Sequence, residues 1–218
     1  MSSSPGGDEH LQRVIAIIPA GPAGAGKDTL MERLKARFAE DAQLPRLYPA
    51  CTATTRPPRS SDPPGKYLNV SPQEFDAKFE RGELLERNLV HGYLYGKVRE
   101  SFDTLPDGHL ILTDLDYQGI GDSLPKLLTA ERTVRIPYLF IDEETLIKRV
   151  HFRCERDGDP VNQEDLEERL VSLRKENAWA DIMHKDYPSE VFHVIDARLT
   201  ADEVGKVAEA YCLANLRT

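Results

Sequence analysis

The stretch that decides the fold is residues 13–31, which read RVIAIIPAGPAGAGKDTLM. Residues 13–19 are mostly apolar and rich in β-branched side chains, which is typical of a strand buried on both faces. A glycine-rich turn follows over Gly21–Gly26, and apolar residues at helical spacing begin at Leu30. A strand, a glycine loop and a helix in this order predict the opening unit of an α/β fold.

The glycine turn fits the G-x4-G-K pattern of a phosphate-binding loop. Small residues let backbone N–H groups turn toward phosphate oxygens, and the helix that follows presents its positive dipole end. The Lys27 ammonium adds a mobile charge on the β and γ phosphates of a nucleoside triphosphate. The expected ATP-binding residues are Gly21, Pro22, Ala23, Gly24, Ala25, Gly26, Lys27, Asp28 and Thr29.

One position departs from this pattern, because Asp28 stands where a serine or threonine usually ligates Mg²⁺, and Thr29 follows it. Mg²⁺ prefers hard oxygen ligands, so Asp28 is a candidate to hold it directly or through a water. A carboxylate in the first turn of a helix is also favourable by itself, next to the helix dipole. The sequence leaves both interpretations of Asp28 open.

The composition limits the classes of protein to which the chain can belong. It has 218 residues, a formal net charge of −9, 40% apolar and 30% charged residues, as expected of one globular domain. The acidic balance argues against non-specific nucleic-acid binding, and no apolar window is long enough to span a membrane. Residues 1–12 lack the apolar segment of a secretory signal and are expected to be a disordered tail. Together with three widely spaced cysteines, these features predict a cytoplasmic protein with no nucleic-acid or membrane partner.

Alternating strand and helix patterns at both ends of the chain predict a parallel sheet covered by helices. Strands are expected over residues 13–19, 47–55, 109–115, 133–141 and 191–196. Helices are expected over residues 27–40, 98–105, 142–156, 162–185 and 200–216, and after 115 as far as 130, where Pro125 must kink or shorten the helix. Between them, Ser71 begins a capped helix that Gly82 ends, and residues 83–95 predict one or two short strands about a turn at His91-Gly92.

Several further motifs occur in an order that resembles the guanylate kinases, a family of nucleoside monophosphate kinases. After the phosphate loop come Thr54–Arg59 (TTRPPR), Gly65–Tyr67 (GKY), Gly82–Glu86 (GELLE), Tyr95-Gly96 and Asp114–Gly119 (DLDYQG). TTRPPR with DxDxQG downstream of a phosphate loop is a specific combination. The resemblance implies an α/β P-loop kinase core with a parallel sheet flanked by helices, a small α+β inset that binds the monophosphate, and a helical lid. The expected division is a guanylate kinase-like domain over 13–218, with core segments 13–50, 97–148 and 178–218, an acceptor-binding inset 51–96 and a lid of about 149–177.

The TTRPPR segment is physically suited to hold a phosphate monoester. Two prolines stiffen the loop between Arg56 and Arg59, and guanidinium forks grip a phosphate bidentately. The resemblance also assigns to Glu86 the N1–H and amino group of guanine, a donor pair that adenine lacks. The acceptor site that the resemblance implies consists of Thr52, Arg56, Arg59, Tyr67, Glu86, Tyr95, Gly96, Lys97, Asp114 and Asp116. The resemblance also makes Asp114 a candidate for the magnesium shell.

Three departures from the family pattern lie in this acceptor region. Thr52 replaces a serine that contacts the acceptor base, and it keeps the hydroxyl. Lys97 stands where the family has serine or threonine, and its ammonium offers only donors, either to guanine O6 or to phosphate. After Arg59 the chain reads SSDPP, where the family usually has Gly-Glu.

A row of arginines lies on the helix predicted over residues 142–156. Arg149, Arg153 and Arg156 recur at spacings of four and three, and Arg169 follows on the next helix. By resemblance these side chains, together with Lys27, are catalytic and neutralise charge on the transferring phosphoryl group. The alternative for each arginine is a solvated position paired with a neighbouring carboxylate.

The predicted activity is ATP-dependent phosphorylation of GMP or dGMP to the diphosphate, with Mg²⁺ as cofactor and ATP as co-substrate. The partners expected are small-molecule nucleotides, and the chain is expected to be a monomer or a homodimer. One alternative is a related kinase with a different acceptor, either another nucleoside monophosphate or ribose 1,5-bisphosphate. The other is a catalytically inactive guanylate-kinase-like binding module.

Overall fold

The computed structural model describes residues 12–60, 62–90, 92–214 and 216. The expected disordered tail therefore lies outside the described residues, except for its last residue, and so does His91 of the predicted turn. The strands are β1 (Arg13–Ile17), β2 (Arg46–Tyr48), β3 (Thr52–Thr54), β4 (Tyr67–Asn69), β5 (Asn88–Val90), β6 (Tyr93–Lys97), β7 (His109–Leu112), β8 (Arg132–Phe140) and β9 (Phe192–Asp196). The helices are α1 (Lys27–Glu40), α2 (Pro72–Glu80), α3 (Glu100–Asp103), α4 (Tyr117–Leu127), α5 (Glu143–Asp157), α6 (Gln163–Asp186) and α7 (Ala201–Leu213).

The main sheet has the strand order β2-β7-β1-β8-β9, and all of its strand pairs are parallel. β1 lies in the middle, and Ile15, Ala16 and Ile17 are at most 1% exposed. A run of β-branched and small apolar residues suits this position, because both faces of the strand are covered. The predicted fold class, a parallel sheet flanked by helices, is confirmed.

Two apolar clusters cover the two faces of this sheet. On one face, α1 and α7 contribute side chains such as Leu34 and Ala208. On the other face, α4 and the end of α6 contribute Ile120, Leu124 and Met183. Both faces of the sheet are therefore covered by helices. Polar loops lie at the carboxyl ends of the strands, where ligands of open α/β sheets bind.

A second, mixed sheet has the order β4-β3-β6-β5, with β3 parallel to β4 and antiparallel to β6. Helix α2 covers one of its faces, where Ala53, Phe75 and Leu84 form a small buried cluster. Because side chains alternate along a strand, Thr52 and Lys97, which are paired in register, lie on the opposite face. That opposite face, which we call the open face, carries polar residues such as these two.

The structure differs from the sequence expectation between residues 47 and 55. The sequence predicts one strand there, but the segment forms β2 of the main sheet and β3 of the second sheet. Pro49 follows β2 directly and has no N–H to donate to a ladder, so the chain leaves the first sheet before it enters the second. β4 is also absent from the sequence prediction, because its short, mostly exposed sequence has no alternating pattern.

Candidate active site

The phosphate loop connects β1 to α1 and depends on its glycines. Gly21 has a φ of 134°, which side chains rarely adopt. A Cβ at this position would also lie 2.6 Å from the carbonyl oxygen of Leu139 on β8. Gly24 and Gly26 likewise have positive φ values, of 84° and 105°. The loop therefore requires glycine both for its backbone angles and for its close approach to the sheet.

Lys27 begins α1 and folds back over the loop. Its ammonium donates hydrogen bonds to the carbonyl oxygens of Gly21, at 2.5 Å, and Pro22, at 3.1 Å. Burial lowers its pKa, while the negative charges of Glu176, Asp28 and Asp114 act in the opposite direction. The Lys27 ammonium therefore packs against the backbone of the loop, at the place where the sequence pattern predicts that a polyphosphate binds.

A cavity of about 620 Å³ opens beside the loop and collects most of the expected donor residues. Its lining includes residues 23–29 from the loop and α1, and Arg149, Arg153, Arg156 and Arg169 from helices α5 and α6. Gly21 and Pro22 are buried behind it. The structure thus brings the predicted arginines to the same cavity as Lys27.

Three of the four arginines have partners of different kinds. Arg149 points inward and donates to the carbonyl oxygens of Gly24, at 2.9 Å, and Ala25, at 3.0 Å. Arg156 pairs with Asp157 and Arg169 with Asp165, both near the surface. The sequence does not predict the carbonyl contacts of Arg149, because helical spacing defines a face but not the loop packed against it.

The predicted acceptor-phosphate residues lie at the end of β3. Arg56 is 5% exposed, and one of its terminal nitrogens donates to both carboxylate oxygens of Asp62, at 2.8 and 3.0 Å. Its guanidinium carbon lies 5.0 Å from the centre of the Tyr67 ring. Hydrogen bonds from Arg56 and from the Arg59 amide, in that order, hold the pKa of Asp62 below its ordinary value. Tyr95 also faces Arg56 and contributes to the raised pKa of that guanidinium, after Asp62.

The Arg59 side chain stays exposed, and within this cluster its contact is the hydrogen bond from its backbone N–H to Asp62 at 2.8 Å. Tyr67 and Tyr95 therefore lie beside the Arg56 side chain. Arg59 is linked to this cluster only by its backbone.

Glu86, the residue expected to read the base, is only 2% exposed. The side-chain amide of Asn88 donates to Oε2, and the backbone N–H of Lys97 donates to Oε1 at 3.2 Å. Burial raises the pKa of Glu86 to about 7; the Lys97 charge opposes this rise, and the charges of Asp116 and Asp114 reinforce it. The carboxylate also abuts Gly119, where an added Cβ would collide with Oε2.

Lys97 and the two aspartates complete the surroundings of Glu86. The Lys97 ammonium lies 3.3 Å from Thr52 Oγ1 and 3.7 Å from Asp114 Oδ1. Asp116 caps α4 by accepting from the N–H of Gly119 at 2.6 Å. Gly96 packs toward α2, where its missing Cβ leaves room for Phe75.

The donor set at this edge of the sheet is compatible with Mg²⁺. Asp28 and Asp114 carry exposed carboxylates near Lys27, in the first turn of α1 and after β7. Mg²⁺ bound with a nucleotide typically takes one or two carboxylates plus phosphates and waters, so a dedicated protein cage is not required. The described part of the chain contains no group of three or more His, Cys, Asp or Glu residues placed to hold a metal.

Sequence reasoning missed three residues of the site. Glu176 on α6 is half-buried and faces Lys27, and burial raises its pKa. The signal was a carboxylate at the helical spacing of buried Leu173 and Ala180. Phe152 lines the donor cavity with 69% of its surface exposed, which is unusual for phenylalanine. Asp62 gave no signal as the partner of Arg56, since loop contacts have no period.

The loop, its lysine and the parallel sheet define a P-loop protein of the nucleotide-binding class. The sequence model of the guanylate kinases matches residues 13–184. The chain is 37% identical over 175 residues to a guanylate kinase of Bartonella quintana, covering 79% of this chain and 71% of that protein. It is 31% identical over 179 residues to one of Corynebacterium efficiens, covering 79% and 84%. The chain belongs to the guanylate kinase family.

A solved guanylate kinase structure, from Anaplasma phagocytophilum, is 21% identical, with a TM-score of 0.47 over 94% of this chain and 89% of that one.

Among the described residues, no helix combines the length and apolar character needed to cross a membrane.

Proposed function

We propose that this protein transfers the γ-phosphoryl group of Mg·ATP to GMP or dGMP, giving ADP and the nucleoside diphosphate. The observation that carries the proposal is a buried Arg56, held by both carboxylate oxygens of Asp62 at the end of β3, in a chain whose phosphate loop retains Lys27. Arg56 is suited to an acceptor phosphate and Lys27 to a donor phosphate. An inactive binding module would have no use for Lys27.

The donor chemistry that we assign to the loop is charge neutralisation and alignment. Lys27 and the loop N–H groups bind the β and γ phosphates, and Arg149, Arg153, Arg156 and Arg169 stabilise charge on the transferring group. The acceptor needs no general base, because a phosphate monoester with a second pKa near 6 is already largely dianionic at neutral pH.

On the acceptor side, we assign the phosphate to Arg56, Arg59, Tyr67 and Tyr95, and the base to Thr52, Glu86 and Lys97. Gly96 shapes the strand, and Asp114 and Asp116 border the nucleoside. We further assign residues 51–96 to acceptor binding and about 149–177 to a lid that excludes water when both nucleotides are bound.

Mg²⁺ belongs to this proposal as the ion that screens the donor phosphates. Asp28 and Asp114 are the residues that would hold it, directly or through waters. We also propose that the protein works in the cytoplasm as a monomer or homodimer, and that its acidic surface disfavours nucleic acid while its local basic residues attract nucleotides.

ADP release in the presence of ATP and a panel of acceptors tests the proposal. We expect rapid release with GMP and dGMP, and little with AMP, UMP or ribose 1,5-bisphosphate. A strong preference for one of the last three acceptors would contradict the assignment. ADP release that no acceptor stimulates would contradict the assignment of kinase activity.

The affinity for GMP should depend on pH through Glu86. Its pKa is about 7 in the free protein, and guanine needs the ionised carboxylate as a double acceptor. Below pH 7 a proton must therefore leave before GMP binds, so KM for GMP should rise by up to about tenfold per pH unit. Initial rates between pH 5.5 and 8.5 measure this dependence.

Glu86→Gln serves as the matched variant, because it keeps the shape of the side chain and cannot titrate. We expect weaker GMP binding in this variant and no step near pH 7, with the titration of the substrate phosphate near pH 6 retained. A step near pH 7 that persists in Glu86→Gln would assign the titration to another group.

Phe152 should support the base of the donor nucleotide. Its ring is exposed in the donor cavity, which Ala201 and Val204 of α7 also line. Stacking of a nucleobase on an aromatic ring typically contributes ~1–3 kcal/mol. Phe152→Ala should therefore raise KM for ATP about 5- to 100-fold and leave KM for GMP nearly unchanged.

Val171→Ala is the comparison for Phe152→Ala, because Val171 is an exposed apolar residue of the neighbouring helix and is not part of the cavity lining. An equal effect of the two substitutions on KM for ATP would remove Phe152 from the donor site.

A further inference from the structure

We propose that Arg33 of α1 selects the phosphate donor by its base. One face of the Arg33 guanidinium stacks on that base, and this contact makes the site prefer purine over pyrimidine nucleoside triphosphates. The inference rests on the proposed function and deepens it, because it names the class of donor nucleotide and a residue that selects it.

Arg33 is held against α7 by two carboxylates. Its Nε donates to Glu209 Oε1 at 2.6 Å, and its Nη1 donates to Asp202 Oδ1 at 3.2 Å. Its Nη2 lies 3.4 Å from Glu209 Oε2. Charge-assisted hydrogen bonds to a guanidinium lie close to its plane. The two carboxylates therefore hold the group along its edges and fix the orientation of its faces.

Gly205 of α7 lets one face of this guanidinium lie directly on the helix backbone. A Cβ at Gly205 would come within 2.5 Å of Arg33 Nη1 and 2.6 Å of both Cζ and Nε. Because the three distances are so similar, the added atom would stand above the plane of the group and not at its edge. Glycine is unfavourable within a helix, and the close approach of Arg33 gives this one a structural reason.

The opposite face of the guanidinium is left for the donor cavity. Arg33 lines that cavity, and its side chain is 31% exposed. Since its edges meet carboxylates and one face meets Gly205, the remaining face is the part that can meet a ligand. A guanidinium plane stacks favourably on aromatic rings. Phe152 of α5 lines the same cavity and offers the base an aromatic ring as well.

The position of Arg33 suits the base of the donor and not its phosphates. Arg33 lies on the same helix as Lys27, about 9 Å farther along the helix axis. The carboxylates of Asp202 and Glu209 offset its charge and would repel a phosphate group beside it. The phosphates, which we assign to Lys27 and the loop, therefore lie at the beginning of α1, and the base can extend toward Arg33.

Stacking favours the larger ring system. A purine offers two fused rings to the guanidinium, whereas a pyrimidine offers one. Stacking also depends little on which groups lie on the edge of a base. Arg33 should therefore favour ATP and other purine nucleoside triphosphates over UTP and CTP.

Formation of dGDP from dGMP tests the inference through kcat/KM for ATP and for UTP as donors. In Arg33→Met we expect the value for ATP to fall about 3- to 30-fold and the value for UTP to fall less, so that the ratio of the two declines. Arg33→Lys keeps the charge but not the plane, so its ratio should decline as well. Arg37→Met is the matched control, because Arg37 lies on the same helix, pairs with Asp41 and is not part of the cavity lining. Its ratio should equal that of the wild type.

Gly205→Ala tests the same contact without altering Arg33 itself. The added Cβ would displace the guanidinium, so the ratio should fall. The fold should be retained, because the displaced group is the end of a flexible side chain and alanine favours a helix. Gly121→Ala is the control, since a Cβ at this glycine of α4 meets nothing within 4 Å.

Calorimetric binding of ADP and UDP separates this inference from the proposed function, because it needs neither acceptor nor turnover. Arg33→Met should weaken ADP binding more than UDP binding. Equal losses for the two nucleotides, or unchanged ADP binding, would overturn the inference and leave Arg33 as a tie between α1 and α7. If Arg33→Met is unstable, the same comparison in Gly205→Ala decides. A wild type that fails to phosphorylate dGMP would contradict the proposed function, and the binding comparison would still test Arg33.

Discussion

Replacing Lys27 with methionine should lower kcat about 100- to 1000-fold, the range expected when one preorganised donor to a developing charge is lost. The methionine side chain is similar in length but cannot donate to phosphate oxygens, whereas the Lys27 ammonium, which here donates to the carbonyl oxygens of Gly21 and Pro22, has the donors to do so. GMP binding should be nearly unchanged, because we assign the acceptor to the second sheet. Single-turnover rates and GMP titration by calorimetry separate the two effects.

Lys35→Met is the control for that substitution. Lys35 lies on the same helix, is exposed and pairs with Glu32 at 2.7 Å. The substitution should leave kcat within about twofold of the wild type, since exposed ion pairs contribute little. Turnover of Lys27→Met at the wild-type rate would remove the phosphate loop from the mechanism.

Replacing Arg56 with lysine should lower kcat/KM for GMP about 10- to 100-fold, because the charge stays but the bidentate fork is lost. The planar guanidinium is buried, held over Tyr67 and bound to Asp62, so its orientation is set before substrate arrives. A flexible ammonium has no such orientation. Steady-state kinetics with GMP as the varied substrate measure the loss, and KM for ATP should change little.

Two variants make this result specific. Arg87→Lys alters an exposed arginine between α2 and β5 that pairs with Asp76 at 3.0 Å, and it should leave KM for GMP unchanged. Asp62→Asn removes the negative charge that competes with phosphate for Arg56 but keeps an amide oxygen that can accept from the guanidinium and orient it, so it should lower KM for GMP. If Arg56→Lys and Arg87→Lys behave alike, Arg56 does not bind the acceptor.

The sequence predicts the main sheet well because its strands have a strong physical signature. β1 and β8 are rich in apolar residues and mostly buried. The helices between and after the later strands have clear caps, such as Asp142 on α5 and the capping box of Thr200 on α7. The second sheet is predicted less well. β4 is short and mostly exposed, and its place is decided by pairing with β3, not by its own composition.

The residues of the candidate site likewise fall into those that the sequence predicts and those that it does not. The phosphate loop and TTRPPR are contiguous, so their chemistry can be read along the chain. Contacts set by the path of the folded chain cannot: the Asp62 carboxylate on Arg56 depends on how one loop folds back, and Arg149 against the phosphate-loop carbonyls depends on tertiary packing. Glu176 was missed because a single carboxylate in a long polar helix looks solvated until its buried neighbours are known.

The contact between Glu86 and Gly119 bears on how the acceptor preference can evolve or be engineered. Glu86 precedes β5 of the second sheet, whereas Gly119 is in the first turn of α4 in the core, and an added Cβ there would strike the carboxylate. The pocket that we assign to recognition of the base is therefore not a transplantable module. A graft of the second sheet onto another P-loop core would keep its preference only if that core also supplied a glycine at this turn.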